Sequence, residues 1–153
     1  MSEAFKIACD AHTGQFYGDE DYIEHIVRVR DKALTLIDYS DSDREIIGDL
    51  ACLHDVLEDS DFTPEMVRER LGSDYQEIER LIDALQAITK QEGENRESYI
   101  IRCSENSLAW FVKVADTLSN LECSVISGET HRVFKYTKQI NRLYAWKKNK
   151  GKS

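Results

Sequence analysis

The sequence has little of what builds sheets or membrane spans. It contains one proline and seven glycines in 153 residues, and stretches with the apolar–polar alternation of strands are scarce. No run approaches the roughly 18 consecutive apolar residues of a membrane helix, and no charged-then-apolar leader opens the chain. These absences argue against a β protein and against membrane insertion, so we expect a soluble, cytoplasmic protein.

The cysteines give no sign of a disulfide framework. They lie far apart, without a C-x-x-C pair, at Cys9, Cys52, Cys103 and Cys123. Each sits in an apolar stretch with helical spacing, where a free thiol behaves as a small hydrophobic side chain. We therefore expect reduced cysteines, in keeping with a cytoplasmic location.

Negative charge predominates, but it is unevenly distributed. The chain carries 20 basic and 29 acidic residues, a net charge of −9. Residues 128–153 hold eight basic residues against the single Glu129, so this segment is +7 and the rest of the chain is −16. The acidic bulk argues against a nucleic-acid partner, because phosphate backbones require clustered Lys and Arg. The last helix is the one segment suited to meet an anion.

Apolar residues recur with helical spacing over most of the chain. The first two predicted helices span residues 2–16 and about 22–37. The third follows the Ser40–Asp43 capping cluster and continues through Leu57, and the fourth runs from Thr63-Pro64 to Gly72. The remaining predicted helices span 74–88, 95–104, 107–121 and 129–148. Thr63 is the expected N-cap and Pro64 the first helical residue. No repeat or linker divides the chain, so we predict one all-α domain over residues 1–153.

One short segment gathers an imidazole and three carboxylates. Residues 53–59 read Leu-His-Asp-Val-Leu-Glu-Asp. On a helix, His54 and Glu58 share a face because they are four residues apart, and the same spacing separates Asp55 from Asp59. Carboxylates packed together disfavour one another's ionisation, and a divalent cation removes that cost by taking them as ligands. The alternative is an acidic, solvated helix end.

The most apolar predicted helix has an aspartate at its middle. Asp116 lies within 108–121, and an aspartate is almost never buried without a partner. An ion pair with Lys113, three residues earlier, is one explanation. A metal shared with His54 and Asp55 is the better one, because it explains both acidic segments at once.

His25, near the start of the second predicted helix, completes the set. A lone helical histidine is more often a satisfied polar residue than a ligand. Two His and two Asp from three helices, however, form a mixed nitrogen and oxygen set suited to Mn²⁺, Fe²⁺ or Zn²⁺. His12, on the apolar stripe of the first helix, is predicted to be a buried hydrogen-bonding residue that supports this site. Asn120 lies on the same helix face as Asp116, where it can hold a substrate oxygen.

The order of these residues resembles the signature of the HD phosphohydrolases, H…HD…D. The resemblance narrows to the hydrolase domain of RelA/SpoT proteins, and most of all to the small stand-alone alarmone hydrolases. Its motifs are Ala-His-Thr-Gly-Gln at 11–15, Tyr-Ile-x-His at 22–25, H-D-x-x-E-D at 54–59 and K-x-A-D at 113–116. The resemblance covers about residues 4–145 and implies a single HD-domain helical bundle, with 129–148 as a basic C-terminal helix.

The resemblance implies a Mn²⁺-dependent enzyme that removes the 3′-pyrophosphate from guanosine 3′,5′-bis(diphosphate), (p)ppGpp. The implied metal ligands are His25, His54, Asp55 and Asp116. The implied pair that orients and activates the attacking water is Glu58 and Asp59. The implied substrate contacts are Asn120, Arg132 and Tyr136. On chemical grounds, Arg132, Lys135 and Lys113 are expected to offset phosphate charge. Fe²⁺, Zn²⁺ and Mg²⁺ are alternative metals. The last helix has the alternative interpretation of a solvated basic helix without a substrate contact. A homo-oligomer is a further alternative, because relatives often self-associate.

The chain departs from its relatives where the nucleotide is contacted. Relatives usually place basic residues after the Gln of the first motif, whereas residues 16–22 read Phe-Tyr-Gly-Asp-Glu-Asp-Tyr. Thr117 stands where a basic residue commonly follows the Asp of K-x-A-D. A phosphatase or pyrophosphatase of another nucleotide, such as one acting on the 2′-phosphate of NADPH, is therefore an alternative. A catalytically silent nucleotide-binding module is a second.

Overall fold

The chain folds into helices joined by short loops in a computed structural model that describes residues 1–150. The elements are α1 (Glu3–Ala11), β1 (Phe16–Tyr17), β2 (Glu20–Asp21), α2 (Tyr22–Leu36), α3 (Arg44–Leu53), α4 (Val56–Asp59), α5 (Pro64–Leu71), α6 (Ile78–Ile88), α7 (Arg96–Ser104), α8 (Ser107–Ser127) and α9 (Thr130–Lys150). The all-α prediction is confirmed. Lys152 and the end of the predicted domain lie outside the described residues, so the single domain over 1–153 stays a prediction.

The core lies around α8. This helix packs against α2, α3, α6, α7 and α9, because its apolar side chains surround it on most sides. Its buried residues include Leu108, Val112 and Ala115, and the polar Asp116 and Asn120 are buried beside them. Polar groups in such a position require partners, which makes this part of α8 the place to look for a site.

The predicted start and end of α5 are confirmed. The Thr63 hydroxyl accepts a hydrogen bond from the Met66 amide, and Pro64 opens the helix. Gly72 follows the helix with φ of +86°, a conformation that residues with a Cβ rarely adopt. Within residues 1–150, none of the helices is both long enough and apolar enough to span a bilayer.

The first predicted helix is too long. α1 ends at Ala11, and residues 16–21 form a small antiparallel hairpin in which Phe16 pairs with Asp21 and Tyr17 with Glu20. Gly14 and Gly18 adopt φ of +77° and +60°, which breaks the helix and turns the hairpin. The apolar spacing that predicted a helix here came from residues that fold back over α2.

The third predicted helix is interrupted where the chemistry lies. α3 ends at Leu53 and the four-residue α4 begins at Val56. Asp55 stays in the right-handed region but departs from regular helix values, with φ of −106° and ψ of 0°, and the His54 ring bonds the carbonyl of Ala51 in the last turn of α3. The break therefore aims two adjacent side chains at one point, which a continuous helix does not allow.

Two further helix boundaries differ from the prediction. α6 begins at Ile78 instead of residue 74, after Glu77 in a left-handed conformation with φ of +64°. α8 continues to Ser127, where Gly128 ends it with φ of +74°. Helix ends are set by caps and by tertiary packing, which apolar spacing does not report.

Candidate metal centre

Three separate parts of the bundle place ionisable side chains at one buried point. His25 lies in the first turn of α2, His54 and Asp55 join α3 to α4, and Asp116 lies midway along α8. His25, His54 and Asp116 are only 2%, 1% and 5% exposed. One ligand atom from each lies within 4.8 Å of the others. The structure thus brings together residues that are up to 91 positions apart in the sequence.

The distances between these atoms suit a single ion. His54 Nε2 is 3.0 Å from Asp55 Oδ2 and 3.6 Å from Asp116 Oδ1. His25 Nε2 is 3.3 Å from Asp116 Oδ1 and 3.7 Å from Asp55 Oδ2. Atoms bound to one ion at about 2.1 Å stand roughly 3.0–3.5 Å apart. His25, His54 and Asp116 therefore have the spacing of a coordination shell, and Asp55 lies next to both histidines of this set.

The hydrogen bonds of His54 test whether a cation fits. Its Nδ1 is 2.7 Å from the carbonyl oxygen of Ala51, so Nδ1 carries the proton and donates it. The buried Nε2 has no hydrogen-bond partner, and in the neutral ring its lone pair faces Asp55 and Asp116. Burial lowers the pKa of His54, but Asp55 and Asp116 outweigh it and raise that pKa well above its usual range, so without a metal ion a proton on Nε2 faces the carboxylates. A metal ion would replace this proton, and imidazoles anchored to the backbone through the other nitrogen are typical of metal ligands.

The pKa values at this point follow from the crowding of charges. Burial raises the pKa of Asp116, but Lys113 and the two histidines outweigh it and hold that pKa well below its usual range. Asp55 shows the same balance, with His54 lowering its pKa against burial. Both aspartates are therefore ionised and able to serve as ligands.

A layer of hydrogen bonds orients the aspartates. The Tyr22 hydroxyl donates to Asp55 Oδ2 over 2.6 Å. Asn120 Nδ2 donates to Asp116 Oδ1, and Lys113 Nζ donates to Asp116 Oδ2, both over 3.0 Å. The ion pair with Lys113 is thus present, but it engages one oxygen of Asp116 while the other faces the histidines.

The two acids predicted to activate water lie on α4, directly after the proposed ligands. Glu58 Oε1 accepts a hydrogen bond of 2.6 Å from the Lys90 amide. Burial and the neighbouring Asp55 raise the pKa of both Glu58 and Asp59. Carboxylates with raised pKa values are better proton acceptors, which is the property that a general base requires.

His12 lies where the sequence placed it, buried on the inner face at the end of α1. Its Nδ1 is 2.8 Å from Gln15 Oε1, and Gln15 Nε2 donates over 2.6 Å to the backbone carbonyl of Asp59. Its ring also packs against Tyr22, with centroids 4.7 Å apart. His12 and Gln15 therefore support α4 from the side.

Sequence reasoning missed Tyr17 as a member of this site. Its ring stacks on His25, with centroids 4.7 Å apart and an interplanar angle of 4°, and its hydroxyl donates to Asn120 Oδ1 over 2.6 Å. Burial raises the pKa of Tyr17 to about 12, so the hydroxyl keeps its proton at neutral pH. The two glycines that flank the hairpin, Gly14 and Gly18, were the available signal that the chain folds back here.

The structure also brings part of α9 to this place. The Arg132 guanidinium carbon is 5.8 Å from the centre of the Tyr17 ring, and Arg132 Nη2 donates to the hydroxyl of the buried Tyr136 over 3.3 Å. The predicted substrate residues Asn120, Arg132 and Tyr136 therefore adjoin Tyr17. Lys113 is turned to Asp116 and to the ring of Tyr99, 5.4 Å from its centre.

An all-α bundle that joins H…HD…D residues at its centre is the class of structure that the HD resemblance predicted. No protein-family model matches the chain. The chain is 33% identical over 142 residues, 88% of its length, to the guanosine-3′,5′-bis(diphosphate) 3′-pyrophosphohydrolase of Haemophilus influenzae. It is 30% identical over 95% of its length to the protein of the same name from Aquifex aeolicus.

The chain spans 20% of the length of each of these relatives. Among solved structures, a metazoan ortholog of SpoT, described as hydrolysing ppGpp, superimposes with a TM-score of 0.66 at 21% identity. The alignment covers 92% of this chain and 83% of that one, and it shows a shared fold. The resemblance to the RelA/SpoT hydrolases is therefore confirmed, and most of the chain is similar in sequence to one part of the ppGpp 3′-pyrophosphohydrolases.

Proposed function

We propose that the chain is a divalent-metal-dependent hydrolase that removes the 3′-pyrophosphate from (p)ppGpp. The observation that carries this proposal is the meeting of His25, His54, Asp55 and Asp116 at one buried point. The names of the two curated relatives supply the substrate. The proposed ligand is thus a small nucleotide. Three further points stay predictions: self-association, the lack of a nucleic-acid partner and a cytoplasmic location.

The same four side chains are the proposed metal ligands, and Mn²⁺ is the proposed metal. The mixed imidazole and carboxylate set also admits Fe²⁺ or Zn²⁺, with Mg²⁺ the least suited to imidazole. Such an ion, when bound, makes water more acidic and withdraws charge from a phosphoryl oxygen. The buried Nε2 of His54, which is directed at Asp55 and Asp116, is the feature of the chain that supports this assignment.

Other residues are proposed to handle the proton and the phosphate. Glu58 and Asp59 would orient the attacking water and accept its proton, and a positioned base of this kind contributes typically about 10²–10⁴-fold to rate. The Asn120 amide and the Arg132 and Tyr136 side chains would contact the nucleotide. Lys113 would act through Asp116, because its ammonium group is already bound there.

Product analysis tests this proposal. The purified protein is loaded with Mn²⁺ and given (p)ppGpp, NADPH and nucleoside mono- and triphosphates, and the product released is identified. Pyrophosphate from (p)ppGpp is the expected result. Binding without turnover of any of these nucleotides would instead indicate a silent module and contradict the proposal.

A second candidate substrate follows from Tyr17. An aromatic side chain stands in the hairpin where relatives usually carry basic residues, which favours a phosphorylated nucleotide other than (p)ppGpp. Orthophosphate released from the 2′-position of NADPH, without pyrophosphate from (p)ppGpp, would establish this alternative in the same assay.

The ligand assignment is tested by substitution. His54→Ala and Asp116→Ala are each expected to abolish both Mn²⁺ binding, measured by calorimetric titration, and turnover. His131→Ala is the matched control, since His131 is exposed at the start of α9, and it should keep both properties. Full activity in either ligand variant would disprove the assignment.

A further inference from the structure

Two arginines from different helices flank the aromatic ring that covers the candidate metal centre. Arg28 lies on α2, one turn after His25, and Arg132 lies near the start of α9. Their guanidinium carbons are 5.4 Å and 5.8 Å from the centre of the Tyr17 ring. The fold thus gathers two positive charges that are more than 100 positions apart in the sequence.

Tyr17 connects these arginines to the proposed ligands. One contact of its ring is the stacked imidazole of His25, and its hydroxyl holds the Asn120 amide that in turn donates to Asp116. Exposure rises outwards, from 3% for the His25 side chain to 32% and 31% for those of Arg28 and Arg132. The guanidinium groups therefore stand one ring away from the centre, on its solvent side.

Both arginines retain hydrogen-bonding capacity. Within residues 1–150, Arg28 forms one hydrogen bond, from Nη1 to Glu20 Oε2 over 2.6 Å. Arg132 donates to Glu129 and to the Tyr136 hydroxyl over 3.2 and 3.3 Å. A guanidinium group has five N–H donors in a planar fork that matches phosphate oxygens. The partners present leave donors of both groups for an anionic ligand.

The surrounding charge shows why a nucleotide requires these arginines. Asp55 and Asp116 lie at the centre beside the two histidines, Glu58 and Asp59 follow on α4, and the hairpin adds Asp19, Glu20 and Asp21 without any Lys or Arg. Lys113 is bound by Asp116. A ligand with several phosphate groups is repelled by so many carboxylates unless cations stand close by. Arg28 and Arg132 supply that positive charge.

We propose that Arg28 and Arg132 form a second phosphate-binding site, which holds the phosphate groups of the nucleotide that are not cleaved. Without a nucleotide, the Glu20 carboxylate forms an ion pair with Arg28. When the nucleotide binds, one of its phosphate groups takes the place of this carboxylate beside Arg28. This inference rests on the proposed function and deepens it, because it assigns selection for nucleosides phosphorylated at two positions to these side chains. It also adds Arg28, which no sequence motif indicated, to the substrate-binding residues.

Binding of GDP to the metal-free protein tests this site without turnover. GDP carries a 5′-diphosphate and lacks a 3′-pyrophosphate, and the carboxylates of the metal-free centre repel phosphate, which leaves the arginines as its binding site. By calorimetry, the wild-type protein should bind GDP more tightly than guanosine. Arg28→Gln should weaken GDP binding about 10-fold, as expected for a lost charge-assisted hydrogen bond, and leave guanosine binding unchanged. Glu20→Gln should tighten GDP binding.

Arg30→Gln is the matched control. Arg30 lies two residues further on the same helix, with its guanidinium group against Phe5 and Asp31, so its loss should not change GDP affinity. Equal affinity of wild-type, Arg28→Gln and Arg30→Gln proteins for GDP would overturn the inference, and so would Glu20→Gln binding GDP more weakly than the wild-type protein.

Hydrolysis of (p)ppGpp by the Mn²⁺-loaded wild-type protein, measured in parallel, separates the two claims. Arg28-dependent GDP binding without pyrophosphate release would reject the proposed substrate and keep the phosphate site. Pyrophosphate release, together with equal GDP affinity of the wild-type and Arg28→Gln proteins, would reject the phosphate site alone.

Discussion

Single side chains set the geometry of the candidate metal centre. Asp55 is half-buried beside two histidines, and one of its oxygens accepts a short hydrogen bond from Tyr22. Burial and the nearby Asp55 raise the pKa of Tyr22, so its hydroxyl stays protonated and remains a donor. A carboxylate fixed in this way presents its oxygens to an ion in one orientation, which is how outer hydrogen bonds raise metal affinity.

Tyr22→Phe tests this contribution. The variant keeps the ring that packs on His12 and His25 and removes only the donor to Asp55. We expect Mn²⁺ affinity to fall about 10–100-fold, the typical effect of losing a hydrogen bond to a ligand, with the fold retained. Titration calorimetry measures it. Tyr39→Phe is the control, because Tyr39 is 86% exposed; equal losses in both variants would contradict this role.

The sequence identified the groups that carry charge but not the neutral side chains that orient them. His25, His54, Asp55 and Asp116 were recognisable because buried or crowded charges require partners. Tyr17 and Tyr22 reach Asn120 and Asp55 across 103 and 33 positions. No local spacing encodes contacts between residues so far apart, and a tyrosine, unlike a buried charged residue, has no feature in the sequence that demands a particular partner.

At the scale of elements, the loop between α6 and α7 is held by one arginine. Arg102 on α7 donates to the backbone carbonyls of Gln86, Ala87 and Thr89 at the end of α6. It also forms a two-point pair with Glu94, over 2.9 and 3.0 Å. This loop includes Lys90, whose amide binds Glu58, so Arg102 acts on the candidate site through the backbone.

Arg102→Ala should lower the free energy of unfolding by about 2–3 kcal/mol. The substitution leaves several carbonyls at a helix end and one carboxylate without a donor, and a lost bond to a charged group contributes on this order. Chemical denaturation measures the change. Arg68→Ala removes another arginine, whose pair with Glu79 is exposed, and should change stability far less. Similar losses in both variants would contradict the bracing role.

The same pair predicts a pH dependence. Hydrogen bonds from Arg102 lower the pKa of Glu94 from 4.5 to about 2. The folded state therefore binds fewer protons than the unfolded state between these values, and stability rises with pH there. The contribution is complete above about pH 4.5 and is lost as the pH falls towards 2. The free energy of unfolding, measured between roughly pH 2.5 and 6, should depend less steeply on pH in Glu94→Gln than in the wild-type protein.

Most elements could be predicted because their apolar faces repeat with helical spacing, and α5 was bounded well by its cap and its glycine. The break between α3 and α4 could not, since residues 44–59 keep helical spacing throughout. What breaks the helix is the turn of Asp55 towards the centre and the bond of His54 to the carbonyl of Ala51, both of which depend on partners in other elements.

At the scale of the whole molecule, the candidate centre joins helices that otherwise meet through apolar contacts. α2, α8 and the junction of α3 and α4 each contribute charged or polarisable groups to one buried point. Without a cation, the buried Asp116 and the half-buried Asp55 face two imidazoles, and burial of such charges is unfavourable unless they are paired. Metal binding should therefore stabilise the entire bundle.

Metal removal tests this coupling. With Mn²⁺ at about 100 times its dissociation constant, binding to the folded state alone adds about 2.7 kcal/mol, which raises Tm by roughly 5–10 °C in a chain of this size. A chelator should reverse the rise, as measured by differential scanning calorimetry. His54→Ala should remove the response to Mn²⁺ and His131→Ala should keep it. An equal Tm of the wild-type protein with and without Mn²⁺ would refute the proposed centre.

The hairpin of residues 16–21 leaves the bundle after α1 and returns at the start of α2, and it contributes none of the four proposed ligands. It nevertheless carries Tyr17, which contacts both arginines, and Glu20, which binds Arg28. The proposed phosphate site is therefore shared between this hairpin, α2 and α9, whereas the proposed ligands all lie outside the hairpin. Exchanging the hairpin with that of a relative should alter nucleotide affinity through Tyr17 and Glu20 and leave all four proposed ligands in the chain.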